Sequence, residues 1–205
     1  MIKLSCNDEN IAIAADDVKK GKVIVYPTDT VYGIGCDPYN DSAVDMIFKI
    51  KGRIEGKPLP ILCSSIKHAG RIARLNEHAM KLAQQFWPGT LTLIAELIDR
   101  RISEKVTAGT NTIGVRVPNH QHALQLIDKC GGILVGTSAN KSGYNSTTSA
   151  EEVLESLHGF DILLDGGKTS VGIESTVIDV SSKDIAFIRE GSIRRERIAK
   201  VLEHV

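Results

Sequence analysis

Short side chains with hydroxyl or amide groups stand where apolar segments of this sequence end. The apolar run ending at Tyr26 continues as Pro-Thr-Asp-Thr, residues 136–140 read Gly-Thr-Ser-Ala-Asn after a second run, and residues 174–176 read Glu-Ser-Thr before a third. Such groups often satisfy turn backbone, and they also suit phosphate, ribose or amino-acid ligands, which donors must approach without bulk. Because several such loops occur together, they predict one shared site for an anionic ligand.

Cationic side chains stand at similar boundaries. Lys51, Arg53 and Lys57 follow a predicted helix, where cations are common because they interact favourably with helix C-termini. Arg116 lies within the strand pattern Ile-Gly-Val-Arg-Val, on the face opposite its two valine neighbours. An arginine at such a position either faces solvent or binds an anion, and the sequence leaves both readings open. Arg189 ends a further apolar run and adds another cation.

Four familiar sequence motifs are incomplete or absent in this chain. Gly166-Gly167-Lys168-Thr169 lacks the earlier glycine of a Walker A loop, because position 162 is isoleucine. The stretch 138–141 fits S-x-x-K formally, but no partner motif follows it. The six histidines form no H-E-x-x-H pattern, and the four cysteines show no C-x-x-C spacing. The sequence therefore predicts no protein-built metal site and reduced structural thiols.

Composition limits the class of protein. At 205 residues with 42% hydrophobic and 24% charged residues, the chain resembles a globular protein with its own core. No apolar run approaches the ~20 residues of a membrane helix, and the N-terminus lacks the apolar region of an export signal. We therefore expect a cytoplasmic protein. Lysine plus arginine and aspartate plus glutamate number 25 each, which disfavours bulk attraction of nucleic acid.

The hydrophobic spacing predicts the elements that must position these residues. Strands are expected at 22–26, 59–63, 91–97, 112–117, 133–136, 162–164, 176–178 and 185–188. Helices are expected at 42–51, 65–75, 76–87 with an asparagine cap, 119–130, from a serine cap at 149, and after a cap at Ser192. Because helices and strands interleave without a strict βαβ order, we predict an α/β (α+β) fold with a mixed sheet and surrounding helices, in one domain over residues 1–205.

The ordered motifs of the chain resemble a known family. They read YPTDTVYGIGCD, KGRIEGKPLPIL, WPGTLTLI, IGVRVPNH, TSANKSG, DGGKTSVGIESTVID and IREGSI, and they extend from about Gly21 to Ile193. This series is similar to the YrdC-type domain of threonylcarbamoyl-AMP synthases. The resemblance implies a twisted mixed sheet with a concave basic cavity. It also implies that Lys51, Arg53, Ser138 and Asn140 are the catalytic K-x-R…S-x-N signature.

The resemblance implies a reaction as well. L-threonine, bicarbonate or CO2, and ATP give L-threonylcarbamoyl-adenylate and pyrophosphate, with Mg2+ held mainly by the ATP phosphates. The product feeds a downstream transferase that modifies tRNA beside the anticodon, and contact with tRNA itself is part of the expectation. Some family members carry a further C-terminal domain after a long linker. We expect this chain, which stops at Val205, to be the short form.

Carried over by position, the resemblance assigns two subsites. L-threonine is expected at Thr30, Arg116, Gly136 and Ser175. ATP is expected at Arg53, Lys57, Thr112, Ser138, Ser146 and Arg189. The chain departs from the family pattern around residues 145–147, where a usual proline is missing, and this departure bears most on Ser146. The polar stretch 141–149 is the expected mobile lid over the site.

Two other interpretations belong to different classes. One is a module that binds tRNA or double-stranded RNA without nucleotidyl transfer; the neutral charge and the 4% aromatic content disfavour it. The other is the carbamoyl-adenylate chemistry of hydrogenase maturation, in which the domain is part of a longer chain with acylphosphatase and zinc-finger parts. This sequence has neither part.

Overall fold

A computed structural model describes residues 1–54, 56–182 and 184–203. Twelve strands are present in these ranges, arranged in two sheets. In chain order they are β1 (Ile2–Ser5), β2 (Ile24–Tyr26), β3 (Gly33–Gly35), β4 (Ile61–Cys63), β5 (Ala73–Arg74), β6 (Leu91–Leu97), β7 (Thr112–Arg116), β8 (Ile133–Val135), β9 (Thr137–Ser138), β10 (Ile162–Asp165), β11 (Thr176–Asp179) and β12 (Ala186–Arg189).

The smaller sheet has the strand order β1-β10-β2-β3-β9. Its first three strands are parallel, and β3 pairs antiparallel with both β2 and β9. The larger sheet has the order β12-β11-β6-β7-β4-β8, with the short β5 paired to β6. In it β11 is parallel to β6 and β4 is parallel to β7, whereas the other pairs are antiparallel. The predicted mixed pairing is confirmed.

Eight helices accompany the sheets in the described ranges. They are α1 (Asp8–Lys19), α2 (Asp41–Lys51), α3 (Ile66–Ile72), α4 (Glu77–Phe86), α5 (Glu104–Thr107), α6 (Gln121–Lys129), α7 (Ala150–Ser156) and α8 (Arg195–Leu202). The caps predicted at Asn76 and Ser149 are confirmed, since each side chain accepts a hydrogen bond from the backbone N–H three residues later. The cap predicted at Ser192 is wrong: α8 starts after Arg194, and the Ser192 hydroxyl donates to Thr90 instead.

The predicted strands and helices that carry the site residues are confirmed within a few residues. The predicted helix at 65–75 is shorter, because the chain leaves α3 at Ile72 and pairs residues 73–74 with β6. Strand β1 and helix α1 were not predicted, although Ile11, Ala14, Ala15 and Val18 bury one face of α1 with a helical period. That helix packs against α6 and forms a second, smaller core beside the main one.

The two sheets meet where the chain passes from β8 to β9. The Val135 N–H donates to the Cys36 carbonyl across this junction, over 3.0 Å. A Cβ atom at Gly35 would lie 2.0 Å from the Val135 oxygen, and one at Gly136 would lie 2.4 Å from Leu62 Cγ. Glycine at position 35 therefore allows two backbones to approach closely, and glycine at position 136 leaves room for the Leu62 side chain.

Candidate active site

A cavity of about 970 Å³ is lined by residues from both sheets and from the loops after α2 and β9. Every predicted site residue except Ser146 lies on its wall. These residues are Thr30, Lys51, Arg53, Lys57, Thr112, Arg116, Gly136, Ser138, Asn140, Ser175 and Arg189. Among the described residues, five cationic side chains line the cavity together with one carboxylate, that of Glu174. The predicted common hollow therefore exists, and its wall is mostly cationic.

We divide the lining of the cavity into two halves according to the ligand that each set of residues is expected to bind, and we name them after their arginines. The Arg116 half contains Thr28, Thr30, Thr92, Arg116, Gly136 and Ser175. The Arg189 half contains Lys51, Arg53, Lys57, Thr112, Ser138, Asn140, Glu174 and Arg189.

Arg116 ends β7 and is only 5% exposed, so it does not face solvent. Its Nε donates to the Gly89 carbonyl over 2.8 Å, its Nη1 to Thr30 Oγ1 over 3.0 Å, and its Nη2 to Asp29 Oδ1. A guanidinium has five N–H donors, so these three bonds leave two donors for a ligand. Two donors in a fixed planar group match the two oxygens of a carboxylate.

Asp29 was not predicted as a site residue, although it lies inside the first quoted motif. Its side chain and that of Arg116 are each 6% exposed, which makes this a buried ion pair. It joins the loop after β2, in the smaller sheet, to β7 of the larger one. The second carboxylate oxygen, Oδ2, is buried without a hydrogen-bond partner in the described part of the chain. A buried arginine needs a counter-charge, and that requirement is the signal that would have identified Asp29.

The hydroxyls of Thr28 and Thr30 have a defined hydrogen-bond direction. Thr28 Oγ1 donates its one hydrogen to the Val31 carbonyl over 2.7 Å. In the 3.0 Å contact between the two threonines, Thr30 is therefore the donor. Thr30 Oγ1 also accepts from Arg116, so only a lone pair remains for a ligand. Thr30 can thus accept from an amine or hydroxyl, whereas the Arg116 donors suit a carboxylate.

Lys51 lies beneath the loop that follows β9, with 2% of its surface exposed. Its ammonium donates to the Ser138 carbonyl, to the Asn140 carbonyl over 2.7 Å and to Asn140 Oδ1 over 3.3 Å. Burial, together with the nearby charge of Arg53, lowers the pKa of Lys51 to about 8. Because all three ammonium hydrogens are directed to the protein, this geometry fits a lysine that positions residues 138–140.

The loop after β9 is held by the same group of residues. Asn140 Nδ2 donates to the Tyr144 carbonyl over 2.6 Å, and the Ser142 N–H donates to the Lys51 carbonyl over 2.9 Å. Residues 141–145 are exposed, and Ser142, Gly143 and Tyr144 line the cavity. The predicted lid thus lies at the cavity mouth; its movement stays a prediction.

Arg53 and Lys57 border the outer part of the Arg189 half. Arg53 Nη2 donates to the Pro58 carbonyl over 3.0 Å, and its Nε donates to the Lys57 carbonyl over 3.3 Å. These bonds fold the loop after α2 back on itself and aim the guanidinium along the cavity wall. Lys57 is exposed, so its ammonium remains hydrated and movable.

Ser146 and Arg189 both donate hydrogen bonds to the Glu174 carboxylate. Ser146 Oγ donates to Glu174 Oε1 over 2.7 Å, and Arg189 Nη1 donates to Glu174 Oε2. Arg189 Nε also donates to the Ser175 carbonyl over 3.1 Å. Ser146, the one predicted residue that is absent from the cavity wall, is therefore linked to the cavity through Glu174. Sequence reasoning listed Glu174 only as part of a strand boundary, because it searched this half for cations.

In residues 1–54, 56–182 and 184–203, no group of three or more histidine, cysteine, aspartate or glutamate side chains is placed to hold a metal ion. Within the same ranges, none of the helices has both the length and the apolar character needed to span a bilayer.

Comparison with known proteins places this chain in a family. Residues 16–191 match the sequence profile of the family Sua5_yciO_yrdC, which carries the description "Telomere recombination". A Pyrococcus abyssi protein named "Threonylcarbamoyl-AMP synthase" is 40% identical over 200 residues, which cover 95% of this chain and 58% of that relative. A Mycobacterium tuberculosis protein named "Putative threonylcarbamoyl-AMP synthase" is 32% identical over 194 residues, covering 94% of this chain and 88% of the relative.

Solved structures agree with this placement. The crystal structure of P. abyssi Sua5 complexed with L-threonine superposes with a TM-score of 0.92 at 37% sequence identity. The match covers 100% of this chain and 60% of that one, so the chain spans little more than half the length of its archaeal relative. With a matched profile over most of its length, a cavity lined by the ordered motifs and this shared fold, the chain belongs to the Sua5/YciO/YrdC family.

Proposed function

We propose that this protein is an L-threonylcarbamoyladenylate synthase. It would join L-threonine, bicarbonate or CO2, and ATP into threonylcarbamoyl-AMP and release pyrophosphate. The observation that carries the proposal is the pairing, in one cavity, of a fixed arginine with two unused donors and a separate group of cations. The first suits an amino-acid carboxylate and the second suits a triphosphate. Relatives of this name, and the threonine complex of one of them, support it.

The Arg116 half is proposed to hold L-threonine. The two free donors of Arg116 would bind its carboxylate, and the lone pair of Thr30 would accept from its amine or hydroxyl. The Gly136 N–H already donates to the Pro60 carbonyl over 2.9 Å, so the group that Gly136 offers is its carbonyl oxygen, another acceptor. Ser175, in contact with Thr92 over 2.9 Å, adds a hydroxyl. One half of the cavity thus matches each polar group of an amino acid.

The Arg189 half is proposed to hold ATP as its magnesium complex. Arg53, Lys57 and Arg189 would neutralise the phosphates, while Ser138, Ser146 and Thr112 would donate or accept at their edges. The cationic and hydroxyl side chains of this half fit an Mg2+ ion that arrives with the nucleotide, because such an ion takes most of its ligands from phosphate and water. When bound, Mg2+ would withdraw charge from the phosphate oxygens. Lys51 and Asn140 would position Ser138 from below.

The proposed chemistry needs no protein nucleophile. The threonine amine adds to CO2 and loses a proton, which gives a carbamate. A carbamate oxygen then bonds to the α-phosphorus, and the bond from that phosphorus to the β-phosphate bridging oxygen breaks, which releases pyrophosphate. The protein would contribute positioning and fixed positive charge, the usual sources of rate enhancement in phosphoryl and nucleotidyl transfer. Residues 141–149 are proposed to close over the carbamate and exclude water.

The remaining parts of the proposal concern the surroundings of the enzyme. The product would pass to a transferase that modifies tRNA beside the anticodon, with or without contact between this protein and tRNA. We propose the cytoplasm as the location, since ATP and tRNA are both available there.

The direct test is pyrophosphate release by the purified protein, with ATP, L-threonine and bicarbonate present and each omitted in turn. We expect release to require all three and to fall when serine replaces threonine. Release that does not depend on threonine and bicarbonate would overturn the proposal. RNA binding with a steep salt dependence and no ATP chemistry would favour the RNA-binding alternative instead.

A further inference from the structure

The Arg189 half contains an anion of its own. The Glu174 carboxylate lies just before β11, and it accepts hydrogen bonds from Ser146 and Arg189, both expected to bind ATP. Burial raises the pKa of Glu174, but the bond from Ser146, the charge of Arg189 and a hydrogen bond from Ser138 lower it more, to below its ordinary value of 4.5. Three groups assigned to the nucleotide therefore stabilise one ionised carboxylate.

The donors around Glu174 are those that a phosphate group would use. Guanidinium and hydroxyl donors bind carboxylate and phosphate oxygens with similar geometry. In the structure the carboxylate thus occupies the donors that a phosphate would need. A nucleotide can use Arg189 and Ser146 fully only if Glu174 releases them.

We propose that Glu174 determines which anions the cavity accepts: it holds Arg189 and Ser146 when no ligand is bound, and only a polyphosphate displaces it effectively. This inference rests on the nucleotide site proposed above. It goes beyond that proposal because it makes a carboxylate, rather than a cation, the specificity-determining residue of this half.

The energetics favour exchange at this pair. The side chains of Arg189 and Glu174 are 44% and 32% exposed, so solvent screens and weakens their attraction. A triphosphate brings several charges and many oxygens that also reach Arg53 and Lys57, and these added contacts offset the loss of the Glu174 contact. A single phosphate group gains less from these neighbours and competes poorly with the tethered carboxylate.

The test is a comparison of two metal-free anions, tripolyphosphate and inorganic phosphate, by titration calorimetry in EDTA. We expect wild-type protein to bind tripolyphosphate much more tightly. In Glu174→Gln, inorganic phosphate should bind up to about fivefold tighter, because the carboxylate that competes for Arg189 and Ser146 is gone. The affinity for tripolyphosphate should rise less, so the ratio of the two affinities should decrease.

Glu190→Gln is the matched control. Glu190 is one residue from Arg189, is paired with Arg194 over 3.2 Å and is 41% exposed, so its change removes the same charge outside the cavity. It should bind both anions as wild type does. The inference is wrong if Glu174→Gln keeps the wild-type preference for tripolyphosphate. It is also wrong if this variant binds both anions more weakly, because that result would show that Glu174 only orients the donors.

This outcome is separable from that of the proposed function. Anion binding is measured without threonine or bicarbonate, so it does not depend on turnover. If pyrophosphate release requires threonine but Glu174→Gln does not change anion binding, the proposed function stands and the inference about Glu174 is wrong. Thermal unfolding of each variant establishes that the partly exposed substitutions leave the fold intact.

Discussion

Each half of the cavity contains an arginine paired with a carboxylate, but the two pairs differ in burial. Arg116 and Asp29 are each 6% exposed and join the two sheets, whereas Arg189 and Glu174 are 44% and 32% exposed and lie at the edge of one. Arg116 also binds the Gly89 carbonyl and Thr30, so its orientation is fixed by three partners. The same chemical pair is therefore part of the buried framework in one half and a partly exposed contact in the other.

The difference in burial suits the two kinds of ligand that we propose for the cavity. A small amino acid gains from a rigid, dehydrated group whose geometry is set in advance. A hydrated, highly charged triphosphate gains from cations that remain partly in water and whose existing partner it can replace. The variants below test this division, beginning with the largest expected effect.

Asp29→Asn should destabilise the protein by about 3–5 kcal/mol, because it leaves the buried Arg116 charge without its partner. Glu174→Gln should cost less than about 1 kcal/mol, because its arginine remains accessible to water. Urea unfolding of both variants measures the contrast. Equal losses would show that the two pairs do not differ as their burial indicates.

Lys51→Met should lower the free energy of unfolding by about 1–3 kcal/mol, since it leaves the buried carbonyls of Ser138 and Asn140 without a donor. It should also weaken ATP binding while leaving threonine binding nearly unchanged. Lys49→Met, an exposed change on the same helix, is the control and should have little effect. A loss confined to threonine binding would contradict the assignment of Lys51 to the Arg189 half.

The pH dependence of stability gives a second test of the buried position of Lys51. Its pKa in the folded protein is about 8, below its ordinary value of 10.5, so the unfolded chain binds more protons between these two pH values. The contribution of Lys51 to the free energy of unfolding should therefore rise with pH across that range, as deprotonation removes the cost of burying its charge. The difference between wild type and Lys51→Met, measured by urea unfolding at several pH values, isolates this group. A decrease in that difference with rising pH would contradict the lowered pKa of Lys51.

Ser146→Ala should have the smallest effect. It removes one hydrogen bond to a carboxylate that is already partly hydrated, so the loss of stability should be about 0.5–1 kcal/mol. The KM for ATP should change by about threefold or less, with kcat unaffected, in the pyrophosphate assay. A large fall in kcat would show that Ser146 contacts the reacting phosphate directly.

Much of the fold follows from local sequence patterns. Apolar runs bounded by glycine, proline and asparagine predicted the longer strands, and helical spacing predicted α2, α4 and α6. The pairing of β3 with β9 was not predictable, because these strands have three and two residues and their partners are distant in the chain. The division into two sheets depends on close approach at Gly35 and Gly136, which no local periodicity reveals.

The site could be predicted as a set of residues but not as a set of contacts. Motif order led to residues that nearly all line one cavity. The sequence did not show that Lys51 points into the loop backbone, or that Asp29 and Glu174 pair with the arginines. The donors that remain for a ligand depend on the hydrogen bonds that the protein makes within itself, and only the three-dimensional structure shows those bonds.

The junction of the two sheets has a consequence for the reaction. Thr30 and Ser138 belong to segments of the smaller sheet, whereas Arg116, Ser175 and Arg189 belong to the larger one. Each of the two proposed subsites therefore takes residues from both sheets, so the shape of both depends on how the sheets pack at Gly35 and Gly136. A single methyl group added at Gly35, 2.0 Å from the Val135 oxygen, would push the two sheets apart and so change both proposed subsites at once.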